Sequence, residues 1–201
     1  MKKLQIQLII LVIFFVSGCQ TLPQITHENT NEDSYVGGRW NDSDARKVAN
    51  EMINDCLDRP WLQNFIQKHK GGNPVVIIGK IRNQTSEHID VNTFVESIQR
   101  ALINSGRVNF VASKFERGDI REERYDQAQN SSEDTQKVHG QETGADYILK
   151  GTIKSIRDQS GGTYLLFYQV NLKLLHLESN IIAWNGEKKI RRKIQRRRWT
   201  Y

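Results

Sequence analysis

Apolar residues in this chain fall into segments whose period changes along its length, and the changes mark the elements. Ala45, Val48, Ala49, Met52, Ile53, Cys56 and Leu57 recur at helical spacing, which predicts an amphipathic helix over 43–58. Asn41-Asp42-Ser43-Asp44 offers N-caps and first-turn acids for it, and Pro60 ends it. Trp61, Leu62, Phe65 and Ile66 predict a short second helix that runs out near Gly71-Gly72. The β-branched run from Val75 to Ile78, continued by Gly79-Lys80-Ile81, reads as a central strand buried on both faces. A polar loop from Arg82 to Ile89 follows. Asp90 then caps a helix with the face Val91, Phe94, Val95, Ile98, Ala101 and Leu102, stopped by Gly106. Val108 to Ala112 is a second strand, so strand, helix and strand make a right-handed parallel crossover.

The pattern weakens over residues 113–135, which are charged and poor in apolar side chains. They predict a helix from Ile120 to Gln129, a loop at Asn130-Ser131-Ser132, and a short helix from Asp134 to Thr143 stopped by Gly144. Period 2 then takes over. Tyr147 to Ile156 alternates as a half-exposed strand should, and Gly161-Gly162 turns the chain. Tyr164 to Leu177 places Leu166, Tyr168, Val170, Leu172, Leu174 and His176 on one face. Ser179-Asn180 makes a second turn into Ile181 to Ile190, closing an antiparallel meander. The expected fold class is α/β with α+β character: a mixed sheet containing a parallel strand-helix-strand unit and a C-terminal meander, flanked by helices. Trp40 is expected as a core plug beneath the first helix.

The N-terminus has a different logic. Lys2 and Lys3 precede an apolar run from Leu4 to Val16, broken only by Gln5 and Gln7, and Val16-Ser17-Gly18-Cys19 closes it. A basic start, an apolar stretch and small residues before a cleavage point mark a secretory signal. At about thirteen residues the run is short of the roughly 17 that a membrane span needs. The cysteine resembles the lipobox of bacterial lipoproteins, which implies cleavage before Cys19 and acylation of it. Several acyl chains hold far better than one, and Gln20 in place of an aspartate implies the outer membrane. Gln20 to Gly38 is polar and aperiodic, a tether spanning at most roughly 65 Å. Residues 1–18 therefore read as signal, 19–38 as lipidated cysteine and tether, 39–190 as one globular domain, and 191–201 as a basic tail.

Charge sharpens the last of these. The formal net charge is +6, and Lys188, Lys189, Arg191, Arg192, Lys193, Arg196, Arg197 and Arg198 crowd the end of the chain. A periplasmic address argues against nucleic acid and for an acidic protein face, anionic lipid or cell-wall polymer. Of the 2 cysteines, Cys19 is taken by lipid, leaving Cys56 as a small buried hydrophobe. The histidines His27, His69, His88, His139 and His176 show no metal-ligand spacing. Neither a phosphate loop nor a nucleophile elbow is present. No catalytic residue, metal ligand or cofactor is assigned.

Two blocks carry a family resemblance: Gly38-Arg39-Trp40-Asn41-Asp42-Ser43-Asp44-Ala45-Arg46, and Pro74 through Gly79-Lys80-Ile81-Arg82-Asn83-Gln84-Thr85-Ser86-Glu87-His88-Ile89-Asp90. With Gly144 to Gly151 and the strand pair Tyr168–Leu177 and Ile181–Gly186, the chain resembles the penicillin-binding protein activator LpoB family. That resemblance implies a domain like the N-terminal domain of TolB. It also implies an outer-membrane lipoprotein, without enzymatic activity, that binds and stimulates a class A penicillin-binding protein, a bifunctional peptidoglycan synthase. Peptidoglycan is a further expected partner. A polar loop at a strand's end suits recognition, so Arg82, Asn83, Gln84, Thr85, Glu87 and His88 are the expected partner contacts, against the alternative that they only pack and cap the next helix. The rival function is a structural or export-assembly lipoprotein subunit with a fold like that of curli-type secretion channels.

Overall fold

The computed structural model describes residues 39–160 and 163–195. The signal, Cys19, the tether, the Gly161-Gly162 turn and the chain from 196 onward lie outside them. The helix predicted over 43–58 is α1, Asp42–Leu57. Its start is a capping box: the Asp44 N–H donates to Asn41 Oδ1 at 2.9 Å, and the Asn41 N–H donates to Asp44 Oδ2 at 3.2 Å. Such reciprocal satisfaction of orphan donors fixes where a helix begins. Every predicted apolar position of α1 is buried, Cys56 included. Burial pushes the Cys56 thiol up to about 12, so it stays protonated. Pro60 opens α2, Pro60–Lys68, where its missing N–H costs nothing. The Trp61 indole N–H donates to the Cys56 carbonyl at 2.7 Å and locks the two helices together.

The sheet has five strands: β1 Val75–Gln84, β2 Asn109–Phe110, β3 Tyr147–Ser160, β4 Thr163–His176 and β5 Ile182–Gln195, in the order β2-β1-β3-β4-β5. Helix α3, Val91–Asn104, is capped by Asp90, which accepts from the Asn92 N–H at 2.9 Å. It joins β1 to a parallel β2, while β3, β4 and β5 form the antiparallel meander. The two motifs fuse through a parallel β1–β3 ladder. The Val75 N–H pins this junction by donating to Asp146 Oδ2 at 2.8 Å. One core gathers α1, α2, α3 and the inward residues of the sheet. Trp40 plugs it, edge-on to Phe94 at 5.9 Å and to Tyr168 at 5.6 Å.

Several expectations are corrected. Beyond its first two residues, Val75 and Val76, which are both buried, the central strand is buried on one face only. A bulge between Ile78 and Ile81 keeps Val76 and Ile81 inward, while Lys80 and Arg82 point out. The apolar run misled because Ile77 and its register partner Ile148 form a half-buried outward pair. The second strand shrinks to two paired residues. The charged helix is α4, Lys114–Asn130, which starts earlier than expected because Ser113 and Glu116 form a second capping box. It buries no residue, and its side chains support it locally through Gln127–Glu123 and Asn130–Asp126 hydrogen bonds. Residues 134–143 form turns and coil instead of a helix. Val138 there is exposed, so a short helix would have no face to pack and would not repay its nucleation. β5 passes the expected boundary at Ile190 and reaches Gln195.

Candidate functional site

The loop expected to contact a partner begins inside a strand, since β1 extends through Gln84. Alternation then sorts its residues. Asn83 faces inward and organises the turn: its amide donates to the Glu87 carbonyl at 2.8 Å, and its Oδ1 accepts from the Thr85 N–H at 2.9 Å and hydroxyl at 2.7 Å. The Glu87 N–H in turn donates to Thr85 Oγ1 at 3.1 Å. The Glu87 carboxylate is mostly buried, with Oε2 accepting from the Tyr168 hydroxyl at 2.5 Å and Oε1 3.8 Å from the Arg157 guanidinium. Asn83, Thr85 and Glu87 therefore hold the turn, and Arg82, Gln84 and His88 are exposed on it.

The same hydroxyl ties this turn to the start of the described chain. Tyr168 accepts from the Trp40 N–H at 3.0 Å while donating to Glu87. Burial, with the hydrogen bond to Glu87 second, raises its phenol well above the ordinary tyrosine range. Beside it Arg192 pairs with Asp44 at 2.5 Å, their side chains 12% and 5% exposed. Sequence placed Arg192 in the basic tail over 191–201. It is a structural residue, because even-numbered positions of β5 turn toward α1.

The second surface is the outward face of the sheet, and register assembles it. The first cross-strand row carries Lys150, Lys173 and Asn185; the next carries Arg82, Thr152, Asn171 and Glu187. A third carries Gln84, Lys154, Gln169 and Lys189, and a fourth carries Ile156, Phe167 and Arg191. Among the described residues no helix covers these rows, and all of their lysines are exposed. Two recesses mark the face. One, about 570 Å³, is lined by Lys80, Lys150, Lys173, Thr152 and Asn171 among others. The other, about 540 Å³, lies over Ile156 and Phe167 and is flanked by Lys154 and Lys189. Arg191 stacks over the Phe167 ring at 5.3 Å, and Gln169 donates to Glu187 at 2.8 Å.

Sequence reasoning missed this face. Its signal was the polar half of the strand alternation, of which only the apolar half was used. Among the described residues no group of three His, Cys, Asp or Glu side chains comes together as a metal site would require.

The peptidoglycan-synthase activator LpoB family profile matches residues 44–190. Among solved structures, the LpoB C-terminal domain from Salmonella enterica is 19% identical, with 68% of this chain and 94% of that chain covered and a TM-score of 0.32. The LpoB C-terminal domain from Escherichia coli is 16% identical, covering 66% of this chain and 98% of that one, with a TM-score of 0.33. A lipoprotein from Neisseria meningitidis is 14% identical, covering 60% of this chain and 83% of that one, with a TM-score of 0.37. No curated protein sequence matches.

Proposed function

Because the chain belongs to the LpoB family of peptidoglycan-synthase activators, we propose that it binds a class A penicillin-binding protein and stimulates its glycan polymerisation and cross-linking without itself catalysing either. The observation that carries this reading is the family match, which spans the folded domain from α1 to β5. Lipidation at Cys19 would hold the domain on the periplasmic face of the outer membrane, and the tether would set how far inward it reaches. Anchoring raises the effective concentration of the domain wherever the wall lets it through. Stimulation then requires that the domain bind the active conformation of the synthase more tightly than the resting one.

The turn after β1 supplies the proposed contacts. Arg82, Gln84 and His88 would meet the synthase, while Asn83, Thr85 and Glu87 hold them in place. A turn fixed by its own hydrogen bonds loses little freedom on binding, which favours affinity. The experiment is glycan polymerisation by a purified class A synthase with and without the full chain. Stimulation is expected from the native protein, and Arg82→Glu with His88→Glu should cut it at least tenfold. Unchanged stimulation by that double variant removes the contact turn. Absence of any stimulation removes the activator reading. Mass spectrometry of the natural protein should find acyl chains on Cys19, and an unmodified Cys19 removes the anchor.

A further inference from the structure

The outward face of the sheet shares Arg82 and Gln84 with the proposed synthase contact, and the rest of it has a chemistry that this contact does not use. We propose that it is a binding surface for the peptidoglycan of the wall, its sugars together with the carboxylates of its peptide stems, so that the domain grips peptidoglycan as well as the enzyme that makes it. This rests on the activator reading only for the choice of which anionic glycan is bound.

Three observations converge on an anionic polymer of sugars. The face is strongly basic even apart from Arg82, which belongs to the proposed synthase contact: Lys80, Lys150, Lys154 and Lys173 are exposed, and none of them forms an ion pair with a described residue. Glu187 is already engaged by Lys189 at 2.8 Å. Opposing these cations, the four rows offer only Glu187 as an acid. Between the cations stand neutral groups that both donate and accept: Thr152, Gln169, Asn171 and Asn185. Hydroxyl and N-acetyl groups of a sugar chain need that mixture, whereas a simple anion does not. At one end Ile156, 64% exposed, gives an apolar patch on which the carbon face of a sugar ring can rest, beside the Phe167 ring and the Arg191 guanidinium over it.

Geometry suits a repeating ligand. Strands lie about 4.8 Å apart and outward side chains recur every 6.5–7 Å or so along each strand, so the cations form a regular grid. Such a grid meets successive carboxylates of one polymer at once, and several weak contacts sum to useful affinity. The sheet edge-to-edge register supplies it without any loop having to order.

Composition separates this ligand from the alternatives. The centre of a protein–protein interface is depleted in lysine and enriched in aromatic residues, while this face has one described aromatic ring among many lysines. Binding of single-stranded nucleic acid relies on several stacking rings along a groove, and Phe167 alone does not provide them. Lysine-rich and amide-rich, the face fits a hydrated polymer better than a protein or a nucleic acid.

The test is co-sedimentation of the full chain with purified peptidoglycan sacculi at low salt, using Lys150→Glu with Lys173→Glu, and Lys150→Gln with Lys173→Gln as a milder pair. The native chain should pellet with sacculi. Charge reversal should lower the retained fraction at least tenfold and the neutral pair severalfold, with thermal unfolding of both unchanged. Capping the carboxylates of the sacculi as amides should release the native chain. Both pairs should still stimulate the synthase in solution, since neither replaces a residue of the proposed synthase contact, so failure here and failure of the activator reading are distinguishable. Sacculus binding that is absent, or indifferent to charge reversal or amidation, overturns the proposal. Equal retention of the native chain on alginate overturns the choice of wall glycan. Tighter binding to a single-stranded oligonucleotide, or self-association lost in the same variants, overturns it in favour of nucleic acid or a second copy.

Discussion

The two faces of β4 share one backbone and differ in almost everything else. Tyr168, Val170, Leu172 and Leu174 are 2% exposed or less, packed beneath α1 and α3. Phe167, Gln169, Asn171 and Lys173 alternate with them and look out on solvent. Period 2 gives each residue one face without reference to its neighbours, so selection can tune one set for folding and the other for binding almost independently. The inward set tolerates no missing volume. The outward set has few neighbours to lose.

Substitutions on alternate residues should expose that contrast. Leu172→Ala leaves a cavity in the centre of the core and is expected to cost about 2–5 kcal/mol, read as a lower urea midpoint at constant slope. Next comes Arg192→Met, which takes the guanidinium away from the nearly buried Asp44 carboxylate. A hydrogen-bonded charge of this kind is worth about 1.5–3 kcal/mol, and a loss of that size would show that β5 past Ile190 is framework. A mobile tail would show no loss. Tyr168→Phe removes the hydroxyl shared by Trp40 and Glu87 and should cost about 1–2 kcal/mol. Proteolysis near Trp40 should rise with it.

A smaller effect is expected where no core is involved. Glu142 is held at about 2, chiefly by its hydrogen bond to Arg121, with Arg124 and Arg117 adding their charges. Its Oε1 and Oε2 each accept from Arg121 at 2.8 Å. Since its folded value lies below the ordinary 4.5, the contribution is present above pH 4.5 and lost as pH falls toward 2. Amide exchange in α4 should therefore accelerate across that window while β4 stays protected, and Arg121→Gln should shrink the step and move it toward pH 4.5. At the bottom of the scale, Asn171→Ala and Lys173→Gln should change stability by less than about 0.5 kcal/mol. A larger loss from either would erase the distinction between the faces.

Two glycines tie the faces together and could not be interpreted from sequence. A Cβ at Gly151 would sit 2.5 Å from the Asn171 carbonyl oxygen, and one at Gly186 would fall 2.1 Å from the Trp184 ring. Trp184 uses that space to reach α1, where its indole N–H donates to Asp55 Oδ2 at 2.9 Å. The requirement is set by a neighbouring strand or a folded-back ring, and no local pattern announces it.

What the sequence alone determined is what nearest neighbours decide. The face and caps of α1, the cap of α3, the alternation of β3 and β4 and the burial of Cys56 all follow from spacing and from side chains a few positions apart. The helix expected at 134–143 failed for the converse reason, since a few residues of helix survive only with a surface to pack on. Tertiary structure alone decided the rest: which side of β1 the helices cover, that Arg192 reaches Asp44 across 148 positions, and that lysines and amides from four strands share one outward plane. Those outcomes depend on strand register and chain crossing, which join residues distant in sequence. The local pattern carries no information about which distant partner arrives.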